Sequence, residues 1–346
     1  LIRRPVLLNR KEEFAGHFSN ADGSFLIDAV TGFFDNGGVR CYVIAASPDG
    51  DRVESLRQAI AALEPIDQMD LVAVPDAMTL RAFDGTPDKQ AISAVQGEVI
   101  AHCGRQGNRM AILDSLPSAG VEDVMDQSSR LATGLQEPLN GALYYPWLYT
   151  TQNSRAVPPC GHVAGIYART DARTGVHKAP ANEEILGVTD LETQIDNGTQ
   201  DQLNPARVNC LRAFRGRGIR VWGARTIGHL PPDPNWLYIN VRRLFLTVDR
   251  WIDLSMGWAV FEPNDMRLWV RIERELNGFF SGLLRDGALR GATQAEAFYV
   301  KCDAEINPPE LREAGQVMIE IGLAPLAPAE FIVARIVRRA GDAPDN

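Results

Sequence analysis

Lysine is scarce in this chain. Of its 35 basic residues only Lys11, Lys89, Lys178 and Lys301 are lysine, so positive charge is carried almost wholly by arginine. Cysteine is also sparse. The five thiols, Cys41, Cys103, Cys160, Cys210 and Cys302, are odd in number, widely spaced and never arranged as C-x-x-C. That excludes a disulfide scaffold and suits buried thiols in a reducing compartment. The five histidines, His17, His102, His162, His177 and His229, contain no i,i+4 pair, and none lies near two cysteines, so no zinc site is legible. Long apolar runs are missing as well. The longest stretch without a charge, 138–154, contains Pro138, Asn140, Gly141, Pro146 and Gln152, which rules it out as a membrane-spanning helix. No basic segment leading into an apolar one opens the chain, so no secretion signal is visible.

Signatures of catalysis are equally absent. Gly216-Arg217-Gly218 lacks the third glycine of a dinucleotide loop and runs into a strand pattern, so it reads as a hairpin turn. No phosphate-binding loop of the Walker type occurs. No serine sits in a nucleophile elbow; Ser255 and Ser281 fall at the end of one predicted helix and inside another. Adjacent carboxylates such as Glu183 and Glu184 point apart on an exposed run. No catalytic, cofactor-binding or metal-ligating residue is assigned, and no cofactor is expected.

What is present is ordinary in amount and uneven in placement. The 346 residues are 45% hydrophobic and 23% charged, with a net charge of −9. A length of this order predicts about two domains, each with room for a core. The acidic total argues against general nucleic-acid binding, which phosphate contacts dominate. Between 181 and 204 the charges are all acidic: Glu183, Glu184, Asp190, Glu192, Asp196 and Asp201. Between 205 and 250 nine arginines, Arg207 to Arg250, face only Asp233 and Asp249. Arginine forks onto carboxylates and suits protein interfaces; biased codon usage with solvated arginines is the plainer alternative.

Strand and helix signals alternate through the first half. Asn36-Gly37-Gly38 turns into an apolar strand, Val39 to Ala45, and Val53, Leu56, Ile60 and Leu63 recur at helical spacing. Leu71 to Val74 is a short strand stopped by Pro75, and Ile92, Val95, Val99, Ile100 and Cys103 mark a helix. Met110 to Leu113, a helix around Val121, Val124, Met125 and Leu131, and a strand from Leu143 to Tyr149 follow. Short, wholly apolar strands between helices imply a mostly parallel, doubly wound α/β sheet covered on both faces. The second half reads as α+β. A hairpin spans Val208 to Thr226, and Asn240 caps a helix carrying Leu244, Phe245, Val248 and Ile252. Trp258 to Phe261 reads as a strand, and Asn264 or Asp265 caps a long helix with Leu268, Ile272, Leu276, Phe279 and Leu283 on one face. Tyr299 to Cys302, a short helix after Pro308-Pro309, and the alternating Val317, Ile319, Ile321 and Leu323 follow. A β-branched run, 331–338, ends the pattern. The predicted division is 1–155 and 156–346.

Several stretches together resemble the contractile tail sheath family of myophages and related injection systems. They are ALYYPWL (142–148), VPPCGHVAGIYARTDARTG (157–175), HKAPAN (177–182), LNPARVNC (203–210) and GRGIRVWGART (216–226). They continue with YINVRRL (238–244), WAVFEPND (258–265), GALRGATQAEAFYVKCD (287–303) and APLAPAEFIV (324–333). FFDNGG (33–38) and LVAVPDA (71–77) fit more loosely. Cys160 stands where a serine is usual and His177 where a tryptophan is usual.

The resemblance implies a subtilisin-like topology without a protease triad, followed by a C-terminal sheath domain. It implies a structural role: six-membered rings of this chain stack around an inner tube, between a baseplate and a terminal cap, and shorten to drive the tube through an envelope. Such a particle is assembled in the cytoplasm, with neither nucleic acid nor membrane insertion among its contacts. It also implies an arm preceding Leu1 and strand exchange between neighbours. The candidate donated strand is Phe331, Ile332, Val333, Ala334, Arg335, Ile336 and Val337, which otherwise reads as an ordinary internal strand. On that basis Glu183, Glu184 and Asp190 are candidate inter-ring partners of Arg215, Arg217 and Arg220. Arg225, Glu262 and Asp265, inside the motifs, are expected as structural ion pairs. Arg267, Arg271 and Arg274 are candidates to face the tube, or form a solvated face. A cap or sheath-initiator relative, and an α/β enzyme with an unrecognised site, are the alternative readings.

Overall fold

The computed structural model describes residues 2–18, 23–47, 49–133, 139–228 and 233–330. At the start β1 (Val6–Leu8) pairs antiparallel with β2 (Cys41–Val43), with α1 (Phe14–His17) and α2 (Leu26–Asp35) between them in sequence. Next comes α3 (Arg52–Ala61), started by the Asp51 carboxylate, which accepts the Val53 and Glu54 N–H groups. Strand and helix then alternate: β3 (Leu71–Val72), α4 (Lys89–Gln106), β4 (Met110–Asp114), α5 (Val121–Ala132) and β5 (Gly141–Tyr145). The apolar run expected as a single strand to Tyr149 breaks at Pro146, and β6 (Leu148–Thr150) leaves the main sheet to join β7 (Ala156–Val157) and β8 (Val188–Leu191). Before β8 lies α6 (Cys160–Arg173); after it come α7 (Asn197–Leu203) and the hairpin β9 (Val208–Phe214) and β10 (Gly218–Trp222).

The main sheet has the order β10-β9-β5-β4-β3. β3, β4, β5 and β9 run parallel, and β10 closes one edge as an antiparallel hairpin. β4 and β5 are buried at every residue, which is why they read as unbroken apolar runs. Helices α3, α4 and α5 pack side by side, α2 packs on α6, and both α4 and α6 contact β4. The α2–α6 approach requires glycine: a Cβ on Gly161 would lie 2.1 Å from the Ala29 carbonyl oxygen, and one on Gly165 2.4 Å from that of Phe33. Because β5 pairs with β9, Leu143 opposite Val208, the sheet crosses the division expected at 155/156. Buried residues from Phe25 to the end of β10 mostly share one hydrophobic cluster, which includes Val99, Ile112, Leu143, Val163 and Leu211, while Leu8, Phe14, Phe18, Val30 and Val43 form a small cluster of their own.

A second cluster begins within α8 (Ile239–Ser255) and is built on α9 (Met266–Arg285), α10 (Gln294–Ala297), β11 (Phe298–Lys301) and β12 (Glu320–Leu323); α11 (Pro309–Glu313) lies between the last two strands and buries no residue. Leu268, Ile272, Leu276 and Phe280 carry the apolar stripe of α9 against Phe298 of β11. β11 and β12 form an antiparallel pair, Phe298 opposite Leu323. Helix α8 serves both clusters: Leu246 belongs to the first, Leu244 and Val248 to the second.

Two sequence expectations fail here for identifiable reasons. Asn240 is not a cap; it lies inside the first turn of α8, and its amide donates to the His177 and Leu326 carbonyls, both at 2.9 Å. Trp258 to Phe261 is not a strand but a 3-10 turn, Gly257–Ala259, followed by exposed Val260 and Phe261. The Trp258 indole is drawn down onto α9, donating to Glu275 at 2.9 Å with the Arg271 guanidinium 3.6 Å above its ring. The predicted strand 331–338 lies outside the described residues.

Candidate assembly site

Where the second cluster ends, the chain is led back across the first. Ala324 donates to the Ala297 carbonyl and accepts from the Arg290 N–H; Pro325 bridges to Leu289, and the Leu326 carbonyl accepts from Asn240. Glu330 then meets Arg225 in a two-pronged pair: Nε donates to Oε1 at 3.0 Å and Nη2 to Oε2 at 2.5 Å. Both side chains are 13% exposed. A third donor, Arg225 Nη1, reaches the Asn204 carbonyl at 2.9 Å. The Arg225 backbone is itself bracketed by the fully buried Asn209 of β9, which accepts its N–H at 2.7 Å and donates to its carbonyl at 2.8 Å. Burial, followed by the nearby Glu330 carboxylate, raises the Tyr238 hydroxyl above its usual range.

Arg225 was expected to pair with Glu262 and Asp265; neither is its partner. Glu262 is exposed in the turn beyond Ala259, and Asp265 is the N-cap of α9, accepting the Arg267 and Leu268 N–H groups. The partner Glu330 is 105 positions away, too remote for spacing to reveal.

The acid and arginine runs come together inside one subunit. Residues 182–185 lie along the outer edge of β10: Asn182 N–H donates to the Val221 carbonyl, Val221 N–H to that of Glu183, and Ile185 N–H to that of Ile219. The backbones of Glu184 and Arg220 form an antiparallel β-bridge across this edge. Arg220 reaches the Asn182 carbonyl at 2.7 Å, and Arg217 the Asn182 side chain at 2.9 Å. Glu183 pairs with Arg173 of α6 and lies 4.0 Å from Arg169. Asp190 accepts from its neighbour Leu191 N–H and from Gln194. Arg215 is exposed at the hairpin tip.

On α9, Arg271 is committed to Trp258 and to Glu275 at 3.5 Å, while Arg267 and Arg274 are exposed. Three further arginines, which motif reading did not single out, fasten α8 to the sheet. Arg242 donates to Asn140 at 2.6 Å. Arg243 forks onto Asp171 of α6 at 2.8 and 2.5 Å and lies 4.9 Å above the Tyr167 ring. Arg250 donates to the Met69 carbonyl at 2.8 Å and pairs with Asp70.

Buried titratable groups hold helices in place. Asp114, at the end of β4, accepts the Cys160 N–H at 2.8 Å and so caps α6 from a distance. Burial pushes its carboxyl up to about 7 against that hydrogen bond. Burial pushes the His162 imidazole down to about 4, where α6 packs on Gly32 of α2. Among the described residues no group of three or more His, Cys, Asp or Glu is placed to hold a metal ion, and all five thiols are free. A cavity of about 1250 Å³ lies between β2 and β3 under α2 and α3. Its polar rim is committed to structure: Asp76 accepts the Ser24 hydroxyl and Phe25 N–H, and Arg155 pairs with Asp28 over the Phe25 ring.

The chain is thus a mixed α/β fold whose buried polar groups fasten helix to helix and helix to sheet. Residues 53–227 match the phage tail sheath protein central domain and residues 231–339 the phage tail sheath C-terminal domain. The chain therefore belongs to the phage tail sheath family, whose members are structural proteins and not enzymes. A putative prophage major tail sheath protein of Pseudomonas aeruginosa (strain UCBPP-PA14) is 28% identical over 190 residues, covering 53% of this chain and 46% of that protein. The chain thus spans under half the length of this curated relative. The fold matches a chain of the anti-feeding prophage helical sheath in its contracted state with a TM-score of 0.80 and 28% identity, over 97% of this chain and 88% of that one. A sheath complex from an extracellular contractile injection system, also contracted, gives 0.78 and 26%, over 98% and 88%.

Proposed function

We propose that this chain is the repeating subunit of a contractile tail sheath, assembled in the cytoplasm into a virion tail or injection particle. Six-membered rings stack around an inner tube, between baseplate and cap, and the sleeve shortens to drive the tube forward. The carrying observation is the match, over nearly all of this chain, to sheath subunits of two contractile systems. A contact repeated head to tail without closing generates a helical polymer, the geometry a sleeve requires.

Neighbours are linked by strand exchange through Phe331 to Val337. Such a strand contributes several backbone hydrogen bonds of about 0.5–1.5 kcal/mol each, together with its apolar side chains. Among the charged residues, exposed Arg215 at the hairpin tip and Glu184 and Asp190 on the acid run are the groups left to meet other rings. Glu183, Arg217 and Arg220 serve mainly their own subunit. Arg267 and Arg274 face the tube, with Arg271 held back by Trp258.

Purified full-length protein should form helical sleeves or rings by negative-stain electron microscopy. A strictly monomeric species at high concentration would overturn the assignment. Truncation after Glu330 should abolish sleeves and leave folded monomers; unaffected sleeves would remove strand exchange from the account.

A further inference from the structure

We propose that the Arg225–Glu330 pair is a clasp anchoring the C-terminal run 331–337 to the parallel sheet, so that a strand donated to a neighbouring copy pulls on the sheet and not on the β11–β12 pair it follows. This rests on the strand-exchange reading above.

The path of the chain supports it. Beyond Leu323 the backbone is held at Ala324 by Ala297 and Arg290, and at Leu326 by Asn240 of α8. Its last described residue, Glu330, is gripped by an arginine that belongs to the other cluster's side of the molecule. Arg225 lies three residues beyond β10, and its backbone is fastened on both sides by Asn209 of β9, the strand inside the β10 edge. A pull on residue 331 therefore reaches β9 through one ion pair and one side chain.

The grip suits load. Arg225 is already fixed by Asn204 and Asn209, so little freedom remains to be lost when Glu330 docks. Two parallel N–H···O bonds set direction as well as strength, and low exposure limits screening by salt. By contrast, among the described residues β12 is tied within its sheet to β11 alone, and its residues are half-buried or exposed. A two-stranded pair would unzip residue by residue if it carried the pull, whereas the fork must break as a unit.

The test uses the full chain with Glu330→Gln, Arg225→Gln and the double variant, beside truncation after Glu330. The concentration needed for sleeve formation is read by sedimentation and electron microscopy, and the thermal midpoint by circular dichroism of the dispersed subunit. Each single variant should raise that concentration about tenfold, since charged hydrogen bonds of this type contribute on the order of one decade or more. The double variant should be no worse than either single one, because both remove the same contact. Midpoints should stay at the parent value. Sleeves at the parent concentration in Glu330→Gln would overturn the clasp, as would a midpoint falling in step with assembly, which marks a role in the monomer fold alone. If Arg225→Gln does not fold, the near-isosteric Glu330→Gln decides by itself. Loss of sleeves on truncation with none on Glu330→Gln would retain strand exchange and discard the clasp; intact sleeves on truncation would remove both.

Discussion

In the parallel sheet, β4 and β5 are buried at every residue, and the β10 edge is covered by the backbone of residues 182–185. In the β11–β12 pair only Phe298 is buried, and Tyr299 stands 52% exposed. Both regions use β-branched and aromatic residues, and both lean on a long helix. The first completes its hydrogen bonding within one copy on the side that β10 guards. Among the described residues the second has two strands, a number that is marginal unless a helix or further strand is added. An open strand edge is a liability in a monomer and an opportunity in a polymer. The contrast teaches where stability resides: the sheet region secures the subunit, and the β11–β12 pair depends on its helix, α9.

The contrast can be strained hardest at the α2–α6 contact. Gly161→Val places side-chain carbon against the Ala29 carbonyl and forces the helices apart, so it should cost the dispersed subunit about 4–5 kcal/mol in urea unfolding. A loss under 1 kcal/mol, on the scale of an ordinary surface change, would show that this core is not closely packed.

Titration tests the same region with two opposed groups. Asp114, raised to about 7, is protonated more readily in the folded state than in the unfolded one, so its contribution grows as pH falls from 7 towards 4 and is lost as pH rises through 7. His162, lowered to about 4, resists protonation when folded, so its contribution is complete above about 6.5 and is lost as pH falls towards 4. In the parent these slopes largely cancel. Asp114→Asn should therefore expose an acid-side loss of about 3 kcal/mol between pH 6.5 and 4, and His162→Gln an acid-side gain of similar size. Chemical denaturation across pH checks both; profiles parallel to the parent would contradict the assignment.

The smallest effect belongs to the second region. Asp265→Ala removes the N-cap of α9 and should cost about 1 kcal/mol, read as a lower thermal midpoint with sleeves still forming.

Local features of the sequence reported well. The strands β3, β4 and β5 are short apolar runs, Asp265 caps the helix next to it, and Arg215 to Gly218 turn a hairpin. In each case the interaction that decides the conformation lies within a few residues. What failed depends on the tertiary path. Asn240 has the chemistry of a cap, yet its amide bonds to the chain at 177 and 326. Trp258 to Phe261 has strand-like residues but finds Arg271 and Glu275 of a helix in place of a partner strand. The acid and arginine runs looked like surfaces for other rings; the fold lays the backbone of 182–185 along β10, and Glu183 pairs with Arg173 of α6, outside the arginine run. Arg225 was legible as a pairing residue from its motif, but its partner was set by where the chain returns after β12.

Helix α8 has a consequence of its own. It sends Leu246 into one core and Leu244 and Val248 into the other, and Arg242, Arg243 and Arg250 fasten its length to the sheet region. A bar seated in two cores cannot tilt in one without opening the other, and close-packed interiors resist such opening. The subunit thus has no soft joint along this axis. In the contractile sleeve proposed above, displacement would be taken up between copies and not by bending along α8.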